Sequence, residues 1–293
     1  MLVQSHEALL PTGITTSRSK PVSAWAVFRA TVVKDLQIER RYIPDLIGNG
    51  VQLAVRVLFY LLLSGIIAVK GQNSPLGRDM SGQDLFIFFL GGLLLFVFNG
   101  TALGTPVNSV TRDLNNGTLE FLYSNPSSRY AYFVGTVVAN ALISQTVFLP
   151  LFVFLCLYSG SSPRNACLVL LVCALVVVTL IALGIMIALL GILWRQVSSV
   201  TQVVAIMFEL LAGAYFPVSA FPAGLQYIAY LLPYTWGYDL IRYYSFDGQW
   251  KTLLPVWAEW LVLGMAALLY TIVSRFLLRK AEQHAKKRGL HLI

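Results

Sequence analysis

Six apolar runs constrain this chain more than any other feature: residues 46–69, 84–107, 131–158, 167–193, 199–216 and 253–277. Each approaches the roughly 18–25 residues that a helix needs to cross about 30 Å of hydrocarbon. A soluble core in 293 residues cannot hide that much apolar surface. The mean hydropathy of +0.71 and the 57% hydrophobic content place the chain among membrane proteins. The expected fold is all-α, a polytopic membrane protein with six transmembrane helices. No cleavable signal peptide is expected, because the first 44 residues are polar or amphipathic and the first apolar run is too long.

Lys and Arg in the flanks set the orientation. Fifteen fall on one side, in the N-terminal segment, the 108–130 loop, Arg195 and the tail. Five fall on the other: Lys70, Arg78, Arg164, Arg242 and Lys251. This asymmetry places both termini in the cytoplasm, which requires an even number of spans. The net charge of +8 then reflects cytoplasmic anchoring. Nucleic acid is excluded as a partner, since no soluble basic domain exists to hold it. Cys156, Cys167 and Cys173 lie in or beside apolar runs without a Cys-x-x-Cys pair, and read as small hydrophobes rather than disulfide or metal ligands.

Residues 21–44 differ from the leader before them. Trp25, Phe28, Val32, Val33 and Leu36 recur at helical spacing, with Arg29, Lys34, Glu39, Arg40 and Arg41 on the other side. Two readings fit: an amphipathic helix in the membrane–water interface, contacting lipid, or a cytosolic helix packed on a partner. Residues 217–252 open with a segment too apolar for a loop, yet Pro217, Pro222 and Pro233 cut it into pieces too short to span. Short re-entrant helices in the outer leaflet, between spans five and six, are expected there.

Catalytic motifs are absent. The chain has no Gly-x-x-x-x-Gly-Lys-Ser/Thr, no His-Glu-x-x-His and no Gly-x-Ser-x-Gly. Two charges stand well inside spans, Arg56 and Glu209. At 1.5 Å per residue each lies about 15 Å below the cytoplasmic boundary, so they either pair or are solvated separately.

One polar stretch, "TRDLNNGTLEFLYSNPSSR" at 111–129, separates two very apolar runs on the cytoplasmic side. Asn115, Asn116 and Gly117 break the preceding helix. Asn116 or Thr118 can cap a short one, Glu120 suits its positive end, and Asn125-Pro126 stops it. Its Leu119, Phe121, Leu122 and Tyr123 find little cytoplasmic mass in this chain to pack against. It is either a segment built to enter a cleft on another protein or a well-capped turn.

The same stretch resembles the signature of type-2 ABC exporter permeases, in Arg112, Gly117-Thr118-Leu119-Glu120, Asn125-Pro126 and Arg129. "GAYFPVSAFPAGLQYIAYLLPYTWGYDLIR" is similar to that family's Gly-x-x-Phe-Pro, Phe-Pro and Leu-Pro-x-Thr pattern before Asp-x-x-Arg. The resemblance runs from about residue 21 to 280 and divides the chain into a cytoplasmic leader (1–20), an interfacial helix (21–44), a six-span domain (45–280) and a basic tail (281–293). It implies a dimer of permeases, homo- or heteromeric, on two copies of a separate ATPase that binds ATP and Mg. No cofactor is expected in this chain. It also implies that Arg112, Gly117, Thr118, Leu119, Glu120, Phe121 and Tyr123 couple to the ATPase. Trp25, Phe28 and Arg29 would belong to the interfacial helix, and Arg56 and Glu209 to the path or dimer interface.

The entry to the first span, "RRYIPDLIGNGVQ", lacks the Ser and Trp of the polysaccharide exporters and is closer to the drug- and lipid-exporting branch. A polysaccharide or glycolipid exporter of the same family is the alternative. An ion-coupled secondary transporter would need coupling residues in the spans and inverted repeats, which the chain does not display. The expected location is the cell (inner) membrane.

Overall fold

The computed structural model describes residues 23–40, 43–67, 75–99, 129–193 and 198–288, with positions 104 and 108 between them. The described residues are helical almost throughout. In chain order they form α1 (Ala24–Glu39), α2 (Ile43–Ile66), α3 (Gly82–Asn99), α4 (Arg129–Ser159), α5 (Pro163–Leu193), α6 (Ser198–Leu211), α7 (Ala223–Leu231), α8 (Pro233–Ser245) and α9 (Val256–Arg288).

Local chemistry sets the helix ends. At the start of α3, Ser81 Oγ accepts from Asp84 N at 3.2 Å, while Asp84 Oδ2 accepts from Ser81 N at 2.9 Å, a reciprocal capping box. Arg78 then grips the same carboxylate with both terminal nitrogens, at 2.7 and 3.0 Å. Ser162 caps α5, accepting from Asn165 N, and Pro163 occupies the first helical position, where no N–H is needed.

The end of α6 is a Schellman turn. Ala214 N donates to Glu209 O at 3.2 Å and Gly213 N to Leu210 O at 3.4 Å, with Gly213 at φ +92°. After it, prolines punctuate the chain as expected. Pro222 precedes α7, and Pro233 opens α8 after an extended Leu232. The sharp α7–α8 corner is held by Thr235 Oγ1 and Trp236 Nε1, which donate to the Ala229 and Tyr230 carbonyls at 2.6 and 3.1 Å.

The core lies where α3, α5 and α8 meet, filled by Phe86, Leu90, Leu94, Val172, Val176, Leu180, Tyr234 and Tyr238. Helix α9 runs along α5, and α1 along α4. The Val176 side chain of α5 packs directly on Gly237 of α8, where a Cβ would stand 2.5 Å from Val176 Cγ2.

The helix ends sort into two sets. At one end Lys251 N donates to Pro75 O at 3.0 Å and Asn165 Nδ2 to Asp247 Oδ1 at 2.5 Å, gathering the 75–81, 160–165 and 246–255 connections. At the other, Tyr132, Ile185 and Leu278 cluster with Val27 and Tyr130, and Arg275 lies 5.8 Å over the Tyr130 ring.

Among the described residues, four helices are long and apolar enough to cross a membrane: Ile47–Ile66, Tyr130–Ser159, Pro163–Ile187 and Val256–Lys280. Each coincides with an expected span. Within the remaining two expected spans, the described residues form shorter apolar helices, Gly82–Phe98 and Gln202–Leu211. Helix α6, with 14 residues, reaches about 21 Å against a hydrocarbon thickness of about 30 Å, because the Schellman turn stops it inside the apolar run.

Candidate functional site

Helices α2 and α6 each carry one of the two intramembrane charges, and the fold brings them into one polar cluster. Tyr215, just beyond the α6 Schellman turn, donates to Glu209 Oε1 at 2.7 Å. Tyr60 on α2 interacts with Tyr215 and with Arg56, and both charges act electrostatically on it. Its ring stacks on Phe89 at 5.0 Å, which fixes it against α3. The Arg56 guanidinium lies 3.8 Å over the Phe96 ring. Among the described residues Arg56 and Glu209 make no direct ion pair; Tyr60 and Tyr215, their ring centroids 6.4 Å apart, belong to the same cluster. Glu209 is buried and Arg56 half-buried.

A second polar cluster lies beside α8. Arg242 is buried, and its Nη2 donates to the Gly213 and Ala214 carbonyls at 2.7 and 3.0 Å. Its guanidinium lies 3.6 Å over the Phe88 ring. Burial lowers its pKa to about 10, which leaves it charged at neutral pH. One turn earlier, Asp239 accepts from Trp250 Nε1 at 2.6 Å and from Leu253 N at 2.7 Å. Glu259 Oε1 takes the next amide, Leu254 N, at 3.0 Å. Two buried carboxylates thus hold successive amides of the segment that leads into α9.

Sequence reasoning marks Asp239 only within a family pattern, counts Arg242 besides among the outer-side charges, and does not single out Glu259. The signal was available: two opposite charges at i, i+3 within an aromatic, apolar segment, and a carboxylate at the head of a span.

Helix α1 packs along α4. Its buried positions are Thr31 and Asp35, whereas Trp25 is 69% and Val33 44% exposed. The contact centres on Gly135 of α4, where a Cβ would stand 3.0 Å from Thr31 Cβ. Thr31 tolerates that closeness because its hydroxyl returns to the Val27 carbonyl at 2.9 Å. Trp25 stacks on Phe28 at 5.3 Å, and Arg29 is exposed. The cysteines divide as well: Cys173 is buried, Cys156 half-buried and Cys167 exposed, all free thiols. Arg112, Gly117, Thr118, Leu119, Glu120, Phe121 and Tyr123 lie outside the described residues.

The family model for the ABC-2 type transporter matches residues 37–246, well over half of the chain and all of α2 through α8. The chain belongs to the ABC-2 type transporter family. It is therefore an integral membrane permease component of an ABC-type transporter, a family that works with an ATPase partner. No curated protein matches it. Both polar clusters of this ABC-2 permease fall within the matched stretch, apart from Trp250, Leu253, Leu254 and Glu259.

Proposed function

We propose that the chain is the permease subunit of an ATP-driven exporter that moves a hydrophobic or amphipathic substrate, drug-like or lipid-like, out across the cell (inner) membrane. Two copies of a separate ATPase bind ATP and Mg, and a second permease completes the path. Both termini are cytoplasmic, α3 and α6 complete six spans, and α7 and α8 are re-entrant from the outer side.

The observation that carries this reading is the Glu209–Tyr215–Tyr60–Arg56 cluster beneath two open apolar faces. On α2 the residues Val51, Val55, Leu58 and Leu62 are exposed at helical spacing, and on α6 so are Val203, Ile206, Met207 and Leu210. Buried charges in spans mark paths or partner contacts. An apolar face beside them suits a second permease across a path for apolar cargo. Residues Arg112–Tyr123 dock in the ATPase cleft.

Co-purification tests the arrangement. The chain extracted from its own membrane should retain an ABC ATPase, and Glu120→Lys should lose it while remaining inserted. Purification without any ATPase, or equal retention by the variant, counts against docking through this stretch.

A further inference from the structure

A cavity of about 650 Å³ opens at the end of the bundle where the 75–81 and 246–255 connections meet. That size lies within the ordinary range for small-ligand sites, roughly 300–1,000 Å³. Its wall includes Ser219, Thr235, Asp239, Arg242, Trp250 and Lys251. The second polar cluster, around Asp239 and Arg242, forms part of this wall. Asp239 has both oxygens occupied, by Trp250 and Leu253. Arg242 is buried, makes no ion pair among the described residues, and keeps a buried Nε without an acceptor. Lys251 adds a second, exposed cation. The hydrogen-bond and ring partners of Arg242 are neutral, Asp239 acts on it only from one turn away without an ion pair, and an anion entering the cavity would give it a direct partner. Pro217, Val218 and Ala212 give the same cavity apolar walls.

We infer that this cavity is a binding site for a phosphate-type anion, carried as the head group of an amphipath or free in solution. Arg242 supplies the buried charge, Lys251 closes over the anion from the rim, and the apolar wall takes the start of an acyl chain. The inference deepens the amphipathic-substrate reading and rests on it only for the site's place in export. Binding without transport would remove that place and leave the site standing. Transport without binding would remove the site and leave export standing.

The test uses the purified full chain in detergent and the quenching of tryptophan fluorescence, since Trp250 lines the cavity. The probes are dihexanoyl phosphatidate, dihexanoylglycerol and inorganic phosphate. Phosphatidate should bind saturably and at least about tenfold more tightly than dihexanoylglycerol, the gain expected of one charge-assisted hydrogen bond. Arg242 also holds the turn after α6, so the deciding variants sit at exposed positions. Lys251→Gln should weaken phosphatidate about tenfold, and Ala220→Trp, which fills the cavity, should abolish its binding. Competition by inorganic phosphate supports a site for the free anion, and lack of competition supports a lipid head group. Equal binding of the two amphipaths, no binding of phosphatidate, or phosphatidate binding unchanged in both variants would overturn the inference.

Discussion

The Tyr215 hydroxyl donates a 2.7 Å hydrogen bond to Glu209 across the Schellman turn that ends α6. The helix end and the buried charge are therefore one device. The glycine turn swings Tyr215 back over the carboxylate of the preceding turn. Tyr215→Phe should destabilise the protein by about 1–3 kcal/mol, the cost of leaving a buried acceptor unpaired. Glu209→Gln combined with Tyr215→Phe should recover part of that loss, because a neutral amide is cheaper to leave unpaired. Thermal unfolding in detergent measures both, and a double variant less stable than Tyr215→Phe alone would argue against it.

Arg56 and Glu209 belong to one cluster with Tyr60 and Tyr215, so their charges should be exchangeable only in part. Single reversals, Arg56→Glu or Glu209→Arg, should lower dimer yield or loosen substrate control of ATP hydrolysis. The reciprocal exchange should do better than the sum of the two single effects, by about 0.5–3 kcal/mol if read as a coupling energy. An additive result would assign the two charges to separate roles.

Gly237 packs on Val176 with no room for a side chain: a Cβ would stand 2.5 Å from Val176 Cγ2 and 3.3 Å from Leu95 Cδ1. Gly237→Ala should cost about 1–3 kcal/mol by overpacking the α5–α8 contact. Val176→Ala in the same chain should restore much of it. The unfolding midpoints of the three variants decide the point, and a stable Gly237→Ala would show that the helices can move apart.

The positions of four spans were legible because long apolar runs leave a helix few alternatives in a membrane. The end of α6 was not, since Ala, Gly, Tyr and Phe in "AGAYF" all count as apolar while Gly213 turns the chain there. Arg56 and Glu209 stood out as charges in apolar runs. Tyr60 and Tyr215, which share their cluster, look like ordinary aromatics until the fold brings them together. For α1, hydrophobicity marks the stripe with Trp25 and Val33, which are exposed, but gives no sign of Thr31 and Asp35, which pack on α4. The deciding partner, Gly135, lies about a hundred residues away in sequence. Asp239 was equally hidden, because its role depends on Trp250 and Leu253 arriving from the next connection.

The two sets of helix ends predict which positions face outward. Single cysteines in place of Arg164 and Gln249, both exposed at the end near the cavity, should react with an impermeant maleimide on intact cells. Cysteines at positions 115 and 285 should react only after permeabilisation. Labelling of all four from one side would contradict the six-span arrangement.

ATP-driven export is tested most directly in inside-out vesicles that contain the chain and its ATPase. A fluorescent amphipathic substrate should accumulate inside when hydrolysable ATP is supplied. It should not accumulate with a non-hydrolysable analogue, and Glu120→Lys should abolish the uptake. Uptake that continues without ATP hydrolysis and collapses when a proton ionophore is added would contradict the account.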